Sequence, residues 1–279
     1  GHTYSFSGTV APTTGQPALM YNKAWLEKIG ASVPETVDDF TALAQKMKGV
    51  DFNGNGKQDE IIFTTVQMSD LNNMGTAFGV NTVYGSDPLS VDKDGKVSSD
   101  WLSPRYKDFL QYLNKLYTEG ILDKEVFSNT TANLYENVAA DRVGIVIYWS
   151  TFAQTLGNMT SQGQKAPDTE IYKIGPPLKG PHGDQYMVKR ASLGSEPTGV
   201  TRECKNPELA VKWLDVLFAN PDVLTTRIYG FEGQTYKVGA DGKKELIMPT
   251  DGSSWSISEL GCTQIPLPFI QSKDTLMVN

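Results

Sequence analysis

Histidine and cysteine are scarce in this sequence, with two of each among 279 residues. His182 lies in a Gly-Pro-His-Gly turn, where a solvated loop residue is expected, and the other histidine is His2. No nucleophile elbow and no glycine-rich phosphate loop occurs in the chain. Cys204 and Cys262 are far apart and match no metal or redox spacing, so they are either small buried side chains or one disulfide.

Clustered positive charge and long apolar runs are also missing. The chain carries 25 basic and 32 acidic residues, for a net charge of -7, and its Lys and Arg are dispersed. A nucleic-acid partner is therefore excluded, because binding to phosphates needs clustered Lys and Arg. No apolar run is long enough to span a bilayer. With 39% hydrophobic residues, the chain is expected to form one large or two medium globular domains.

Residues 51–60 place oxygen-bearing side chains at every second position around a glycine turn. In EF-hand calcium loops the ligands come from positions 1, 3, 5, 7 and 9, position 7 through its backbone carbonyl, and position 6 is Gly. The corresponding residues here are Asp51, Asn53, Asn55, Lys57 and Asp59, with Gly56 at the turn. We predict that this loop binds a structural Ca²⁺. The alternative is a polar Asn-Gly turn without a metal.

The end of this loop departs from the EF-hand pattern. Position 12 is Ile62 instead of a bidentate Glu, so the closing carboxylate would be that of Glu60. The following segment, 61–65, is rich in β-branched residues and predicts a strand, whereas an EF-hand continues as a helix. We therefore expect a unit made of a helix, a calcium loop and a strand.

Short strands and helices alternate along the chain, which favours an α/β architecture. Residues 18–21 and 143–148 predict buried strands, the second of the kind found in mostly parallel sheets. Residues 37–48 predict an amphipathic helix with Thr36 and Asp39 as its capping box. Two further helices are expected to begin at Pro104 and Pro207. Three tryptophans, Trp25, Trp101 and Trp213, lie in helical or capping contexts and are expected in the core.

Several segments resemble a known family in their order and spacing. They are MYNKAWLEKIG at 20–30, VPETVDDF at 33–40, the loop at 51–60, GPPLKG at 175–180, NPELA at 206–210 with Trp213 to Asp215, and YGFEG at 229–233 with Tyr236. The chain resembles the extracellular solute-binding proteins (family 1) of carbohydrate ABC importers. Within that family it is similar to the lipoprotein and alginate-oligosaccharide-binding branch. In that branch the loop holds a structural Ca²⁺, which implies Asp51, Asn53, Asn55, Lys57, Asp59 and Glu60 as ligands.

The resemblance implies an α/β fold of the type II periplasmic-binding-protein class, with two lobes of mixed sheets flanked by helices. The chain matches only part of that fold, so we expect one lobe to be incomplete. Residues 1–14 and 175–225 are assigned to the incomplete N-terminal lobe, and 15–174 and 226–279 to a calcium-bearing C-terminal lobe. Apolar surface at the missing segments predicts self-association of the chain.

The function implied is that of the extracellular substrate-binding component of an ABC transporter. It would capture an oligosaccharide in the cleft between the lobes and deliver it to a membrane permease, without enzymatic activity. The implied location is the cell surface, with a lipid anchor on the full-length protein, or the periplasm in a Gram-negative cell. A binding protein for a peptide or another small polar solute is an alternative.

Sugar rings stack on aromatic side chains, and their hydroxyl groups need a few polar partners. Tyr148 and Trp149 follow a predicted central strand, where open α/β sheets bind ligands. The resemblance implies that Trp149 stacks on sugar, and the alternative is a half-buried packing role. The other candidate ligand-binding residues are Trp255 in a polar loop, whose alternative role is a loop anchor, and Glu232 and Tyr236 near the hinge.

Two other functions are open from the sequence. A carbohydrate-active hydrolase needs two carboxylates across the scissile bond, and 32 acidic residues allow this by number alone. A calcium-stabilised interaction module would have no binding cleft. A retained, uncut glycan would favour the binding protein over both.

Overall fold

The computed structural model describes residues 6–9, 17–81, 89–91, 94–166, 169–186, 193–239, 242 and 244–247. The chain forms two compact units. One unit comprises residues 14–188, and the other comprises residues 1–13 and 189–279.

The secondary structure confirms the predicted alternation of short strands and helices. The strands are β1 Phe6–Thr9, β2 Pro17–Asn22, β3 Ile61–Thr64, β4 Leu89–Val91, β5 Val97–Ser99, β6 Val143–Trp149, β7 Tyr172–Ile174, β8 Leu193–Thr198, β9 Tyr236–Val238 and β10 Lys244–Leu246. The α-helices are α1 Lys23–Lys28, α2 Val37–Met47, α3 Met68–Leu71, α4 Pro104–Thr118, α5 Thr131–Ala139, α6 Ala153–Met159, α7 Ser161–Lys165, α8 Pro207–Ala219 and α9 Pro221–Tyr229. Within the described ranges, none of the helices is long and apolar enough to cross a membrane.

A four-stranded sheet in the order β3-β6-β2-β7 organises the 14–188 unit. Strand β6 pairs in parallel with β3 and antiparallel with β2, and β2 pairs antiparallel with β7. The mostly parallel environment expected from the apolar run of β6 is therefore wrong, whereas the mixed sheet that the resemblance implied is confirmed. An apolar run indicates burial on both faces, and burial alone does not fix the direction of the neighbouring strands.

Two hydrophobic clusters cover opposite faces of this sheet. Alternate residues of β6 belong to different clusters, with Ile145 and Ile147 in one and Val146 and Tyr148 in the other. The first cluster also holds α2 and α4 through residues such as Phe40 and Phe109, and the second holds α5 and α6. The unit is thus three layers deep, with the sheet in the middle.

Helix starts follow the predicted capping chemistry. The hydroxyl of Thr36 accepts from the Asp39 N–H at 3.0 Å, and the Asp39 carboxylate accepts from the Thr36 N–H at 3.2 Å. Ser103 caps α4, where Pro104 occupies the first turn. The predicted capping box is confirmed, because these hydrogen bonds satisfy N–H groups that the first helical turn leaves free.

The compact units group two segments differently from the predicted lobes. Residues 175–188 lie with the 14–188 unit, because the Gly175 N–H donates to Leu19 O (2.9 Å) and the Lys179 N–H donates to Glu35 O (2.8 Å). Residues 226–279 lie with the other unit, where Tyr236 contacts Tyr229 of α9. The predicted lobe boundaries remain a prediction.

The tryptophans expected in the core are placed differently from one another. Trp25 is buried, as predicted. Trp101 and Trp213 are 58% and 61% exposed, so that prediction is wrong for both. Trp101 lies in a single 3₁₀ turn, and Trp213 lies on α8, which buries the neighbouring Leu214 instead. Helical spacing predicts which residues share a face of the helix. Which face is buried depends on the packing of the whole chain.

Gly144 allows the Trp25 ring to lie against the central strand. A Cβ at this position would be 2.4 Å from Trp25 Cε3 and 3.3 Å from the Ile62 carbonyl oxygen. We predict that Gly144→Ala lowers the free energy of unfolding by about 1–3 kcal/mol, because a well-packed core accommodates an added methyl poorly. Chemical denaturation followed by circular dichroism measures this loss.

The same substitution in a Trp25→Leu background provides the control. Leucine lacks the six-membered ring that would meet the new methyl, so Gly144→Ala should cost much less there than in the parent protein. Equal costs in both backgrounds would contradict the proposed clash.

Candidate functional site

The loop at residues 51–60 is organised around the carboxylate of Asp51. Its two oxygens accept from the N–H groups of Gly54 and Gly56, at 2.6 and 2.8 Å. The hydrogen bond from Gly56 is the main reason that the pKa of Asp51 lies below its ordinary value, and the nearby Lys28 ammonium acts in the same direction. Gly54 and Gly56 have φ angles of 75° and 76°, a region that favours glycine.

The other oxygen-bearing side chains also turn into the loop. Asn53 Oδ1 accepts from the Asn55 N–H at 3.1 Å, and Asn55 Oδ1 accepts from the Lys57 N–H at 2.8 Å. The Asn55 amide donates to both oxygens of Asp59, at 3.1 and 3.2 Å. Glu60 Oε1 accepts from the Phe52 N–H at 2.8 Å, which joins the start and the end of the loop.

The chemistry of this donor set fits a hard cation, since Ca²⁺ takes oxygen ligands from carboxylates, amides and backbone carbonyls. Among the residues that the structure describes, no three His, Cys, Asp or Glu side chains come together as a metal-binding group. A cation in this loop would therefore depend on Asn53, Asn55 and a backbone carbonyl as well as on carboxylates.

Two aromatic rings connect the loop to the core. Phe52 stacks on Trp25 with the ring centroids 3.9 Å apart and the planes within 2°. Lys28 Nζ lies 5.5 Å from the Phe52 centroid and donates to the Asp51 carbonyl oxygen at 2.6 Å. At its other end the loop continues into β3, where the Ile61 N–H donates to Arg142 O at 2.7 Å. The loop is thus held against α1 and against the residue that precedes β6.

Aromatic residues gather where β6 ends. Tyr148 is 7% exposed, and its ring lies 5.3 Å from Phe152 in an edge-to-face arrangement. Trp149 is half-buried, pairs with Pro17 across the sheet and packs against the second cluster, as does Tyr135. Burial and interaction with Tyr148 raise the pKa of Tyr135. We call Tyr135, Tyr148, Trp149 and Phe152 the aromatic cluster. Tyr148 forms its interior, and the other three are only partly covered.

A polar network lies at the end of the neighbouring strand β3. Asn129 Nδ2 donates to Thr64 Oγ1 and Asp123 Oδ2, both at 2.9 Å, and to Thr65 O at 3.1 Å. Thr64 also donates to Asp123 Oδ2 at 2.7 Å. Because β3 and β6 are parallel, this network and the aromatic cluster lie at the same edge of the sheet. Sequence reasoning missed Asn129, Asp123 and Tyr135, since none of them directly follows a strand.

Sequence reasoning also missed Asp70 in α3. Its side chain is buried, and Oδ1 has no hydrogen-bond partner. Its other oxygen accepts from Thr65 Oγ1 at the long distance of 3.5 Å. Burial raises the pKa of Asp70 to about 6. Strongly perturbed carboxyl groups are more frequent near functional sites than elsewhere.

The remaining predicted ligand-binding residues belong to the other unit. Glu232 is exposed, and Tyr236 is buried against Tyr229 with the ring centroids 5.7 Å apart. Trp255 lies outside the described residues. The structure therefore brings Tyr148 and Trp149 together at one sheet edge and places Glu232 and Tyr236 on a different unit.

Comparison with known proteins gives a consistent result. Residues 2–223 match the family described as bacterial extracellular solute-binding protein. The fructooligosaccharide ABC transporter substrate-binding protein FusA of Streptococcus pneumoniae is 28% identical over 272 residues, 93% of this chain and 47% of its own. Lipoprotein LipO of Bacillus subtilis is 27% identical over 218 residues, 77% of this chain and 43% of its own. The chain thus spans about half the length of these curated relatives.

Solved structures show the same similarity. FusA in complex with kestose superposes with a TM-score of 0.74 at 26% identity. A FusA EF-hand mutant with fructo-nystose superposes with a TM-score of 0.73 at 25% identity. Each comparison covers 98% of this chain and 56% of the other. The alginate-binding protein AlgQ2, solved without calcium ion, has a TM-score of 0.72 at 18% identity, covering 97% and 55%.

The titration of Asp70 predicts a dependence of stability on pH. In the folded protein this carboxyl keeps its proton up to a pH of about 6, against 3.8 for an ordinary Asp. The folded state binds more protons between these values, so the stability contributed by protonated Asp70 is lost as the pH rises through this window. Relative to Asp70→Asn, the parent protein should lose on the order of 2–3 kcal/mol between pH 4 and pH 7. Urea unfolding at each pH measures both profiles, and parallel profiles would refute the prediction.

Proposed function

Because the chain belongs to the bacterial extracellular solute-binding proteins, we propose that it captures an oligosaccharide for a membrane permease of the ABC type. The periplasmic-binding-protein-like α/β fold expected from the sequence is confirmed by the structural comparisons. The observation that carries the proposal is the aromatic cluster at the end of β6, at the sheet edge where open α/β sheets bind ligands. FusA, which matches most of this chain, was solved with kestose bound.

Trp149 is the stacking residue in this proposal. It is half-buried at the last position of β6, so one part of the ring is anchored and another part faces outward. The apolar C–H face of a pyranose or furanose ring packs on such a surface, while hydroxyl groups of Ser150 and Thr151 are available for hydrogen bonds. Tyr148 supports this surface from the interior. Glu232, Tyr236 and Trp255 are the other candidate ligand-binding residues in this proposal.

Catalysis of sugar cleavage is the weaker candidate function. Hydrolysis needs two carboxylates across a glycosidic bond. Asp123, at the end of β3, already accepts hydrogen bonds from Thr64, Asn129 and the Glu125 N–H. His182 is exposed and lies 3.7 Å from Asp108. The named relatives are substrate-binding proteins of transporters, which supports binding without chemistry. A peptide or another small polar solute is the alternative ligand.

Calcium binding by the loop at residues 51–60 is the second part of the proposal. The ligands are the side chains of Asp51, Asn53, Asn55, Asp59 and Glu60 and the carbonyl of Lys57. FusA has been solved as an EF-hand mutant, and AlgQ2 has been solved without calcium ion, which supports this part of the proposal. Bound Ca²⁺ would supply positive charge that holds these oxygens together. Its role would be structural, since Trp25 and Phe52 connect the loop to the core.

Location and assembly complete the proposal. The family is extracellular, and LipO is named a lipoprotein, which supports a lipid anchor on the full-length protein. Self-association of this chain is supported by a row of exposed apolar residues along α8, formed by Leu209, Trp213 and Val216. Sedimentation of the chain at several concentrations measures this association, and a strictly monomeric chain would exclude it.

Saturating calcium should raise the melting temperature of the protein. A ligand that binds only the folded state adds RT ln(1 + [L]/Kd) to its stability, or about 2.7 kcal/mol at 100 times Kd. Differential scanning calorimetry of metal-stripped protein, with and without added Ca²⁺, measures the shift. Asp51→Ala should abolish the shift, because this residue provides the first ligand and also orders the loop.

Asp108→Ala is the matched control for the calcium experiment. Asp108 is an exposed carboxylate on α4, outside the loop, and its removal should leave the calcium response unchanged. Protein that melts at the same temperature with Ca²⁺ and with excess chelator, after loading has been verified by elemental analysis, would refute the metal assignment.

Trp149→Ala should weaken oligosaccharide binding by at least about tenfold, because truncation of a central aromatic contact typically costs about 2 kcal/mol. The calcium-dependent shift in melting should remain, since the loop and the aromatic cluster are separate sites. A glycan array identifies the ligand, and isothermal titration then gives the affinities. Mass spectrometry of the retained glycan should show that it is uncut.

Trp101→Ala is the control for Trp149. Trp101 is the same residue type on the same unit and is exposed outside the aromatic cluster, so its removal should leave the affinity unchanged. Unchanged affinity of the Trp149 variant would remove Trp149 from the site. A protein that retains no sugar at all would refute the proposed function.

A further inference from the structure

A small apolar slot lies near the ends of β2 and β6, on the 14–188 unit. Its walls include Leu19, Met74, Ile147 and residues 175–178, and Tyr186 also lines it. The volume is about 40 Å³, whereas one water occupies about 30 Å³ in the liquid. The slot therefore has room for a small group such as a methyl or hydroxymethyl group.

The slot is held open by backbone constraints instead of by mobile side chains. Three of its lining residues are prolines, Pro17, Pro176 and Pro177. The Gly175 N–H donates to Leu19 O at 2.9 Å, and Gln185 Nε2 donates to Pro177 O at 2.9 Å. These contacts fix the turn between β7 and Tyr186. A preformed slot loses little conformational freedom when it binds a ligand.

The Thr76 hydroxyl and the Asn73 amide beside the slot already donate hydrogen bonds within the protein. Thr76 Oγ1 donates to the Asn73 carbonyl oxygen at 2.8 Å, and Asn73 Nδ2 donates to the Asp70 carbonyl oxygen at 2.9 Å. None of the described residues that line the slot is charged. A carboxylate placed there would lose its hydration without gaining an ionic partner, which is strongly unfavourable.

The charges beside Tyr186 also disfavour an anion. Arg105 is paired with Asp184 at 2.9 Å, so its positive charge is compensated. Burial, together with the negative charges of Asp100 and Asp184, raises the pKa of Tyr186. The phenol therefore keeps its proton and can donate a hydrogen bond to a neutral hydroxyl. Its ring is 38% exposed, which leaves a face for contact with a ligand.

The slot and Trp149 are close together in the sheet. Pro17, which lines the slot, pairs directly with Trp149, and Leu19 pairs with Ile147. Residues opposite each other on antiparallel strands are about 5 Å apart. The slot and Trp149 therefore lie at the same end of these two strands.

Building on the proposed function, we propose that the slot receives the exocyclic group of a neutral sugar residue, a methyl or hydroxymethyl group, whose ring lies against Tyr186. A uronate residue carries a carboxylate at this position and is rejected. The chain thus selects neutral over acidic oligosaccharides by desolvation in the slot, independently of the stacking that Trp149 provides to any sugar.

Methyl NMR of the chain labelled at methionine tests this proposal, because Met74 lines the slot and Met47 is buried away from it. The probes are kestose, galactotriose and trigalacturonate at constant ionic strength. Galactotriose and trigalacturonate differ at the exocyclic carbon of each sugar residue. This carbon belongs to a hydroxymethyl group in galactotriose and to a carboxylate in trigalacturonate. At least one neutral probe should shift the Met74 methyl signal while Met47 stays in place. Trigalacturonate should need at least about ten times the concentration for an equal shift.

Tyr186→Ala should weaken binding of the neutral probe by about tenfold, and Tyr186→Phe should retain most of it if the ring makes the contact. Phe127→Ala is the matched control, because Phe127 is an exposed aromatic residue of the same unit that does not line the slot. Phe127→Ala should bind like the parent protein.

The outcomes separate the two proposals. A neutral probe that binds, as measured by titration calorimetry, but leaves Met74 unshifted overturns the slot and keeps the proposed function. Equal affinity for galactotriose and trigalacturonate would also contradict the proposal for the slot, and so would unchanged affinity of Tyr186→Ala. Either result would leave the proposed function standing. Absence of binding by all three probes and by the glycan array overturns both proposals.

Discussion

The burial of strand β6 on both faces is the constraint on which the 14–188 unit depends. The strand pairs with β2 and β3, and its side chains alternate between the two hydrophobic clusters. A shift of this strand by one residue would move every side chain to the opposite face and would therefore disturb both layers at once. The strand also joins the two candidate sites, because Val143 pairs with Ile61 at the end of the 51–60 loop, and Trp149 lies in the aromatic cluster.

The interactions at the two ends of this strand differ. At its start, hydrogen bonds from backbone N–H groups satisfy the oxygens of the 51–60 loop, and the Phe52–Trp25 stack secures the loop to the core. At its end, aromatic surface is left partly uncovered, and the carboxyl group of Asp70 is buried without a full set of partners. Such unfavourable features persist when the surrounding packing supplies enough stability to tolerate them.

In the function that we propose, selectivity would come from two separate contacts. Stacking on an aromatic ring is tolerant, because every sugar ring has an apolar face. An apolar slot is selective, because it penalises any charged group that must lose its hydration. Proteins of the same fold can therefore bind different glycans through small changes near the strand ends, while the sheet itself is kept.

The sequence by itself determined the features that depend on neighbouring residues. These are the oxygen spacing of the 51–60 loop, the Thr36 capping box, the starts of α4 and α8, and the apolar run of β6. Tertiary structure alone decided the strand directions around β6, the exposure of Trp101 and Trp213, the hydrogen bond from Asn129 to Thr64, and the presence of Tyr186 and Pro17 around one slot. Local patterns report periodicity and capping over a few residues, whereas these contacts join distant segments through packing of the whole unit.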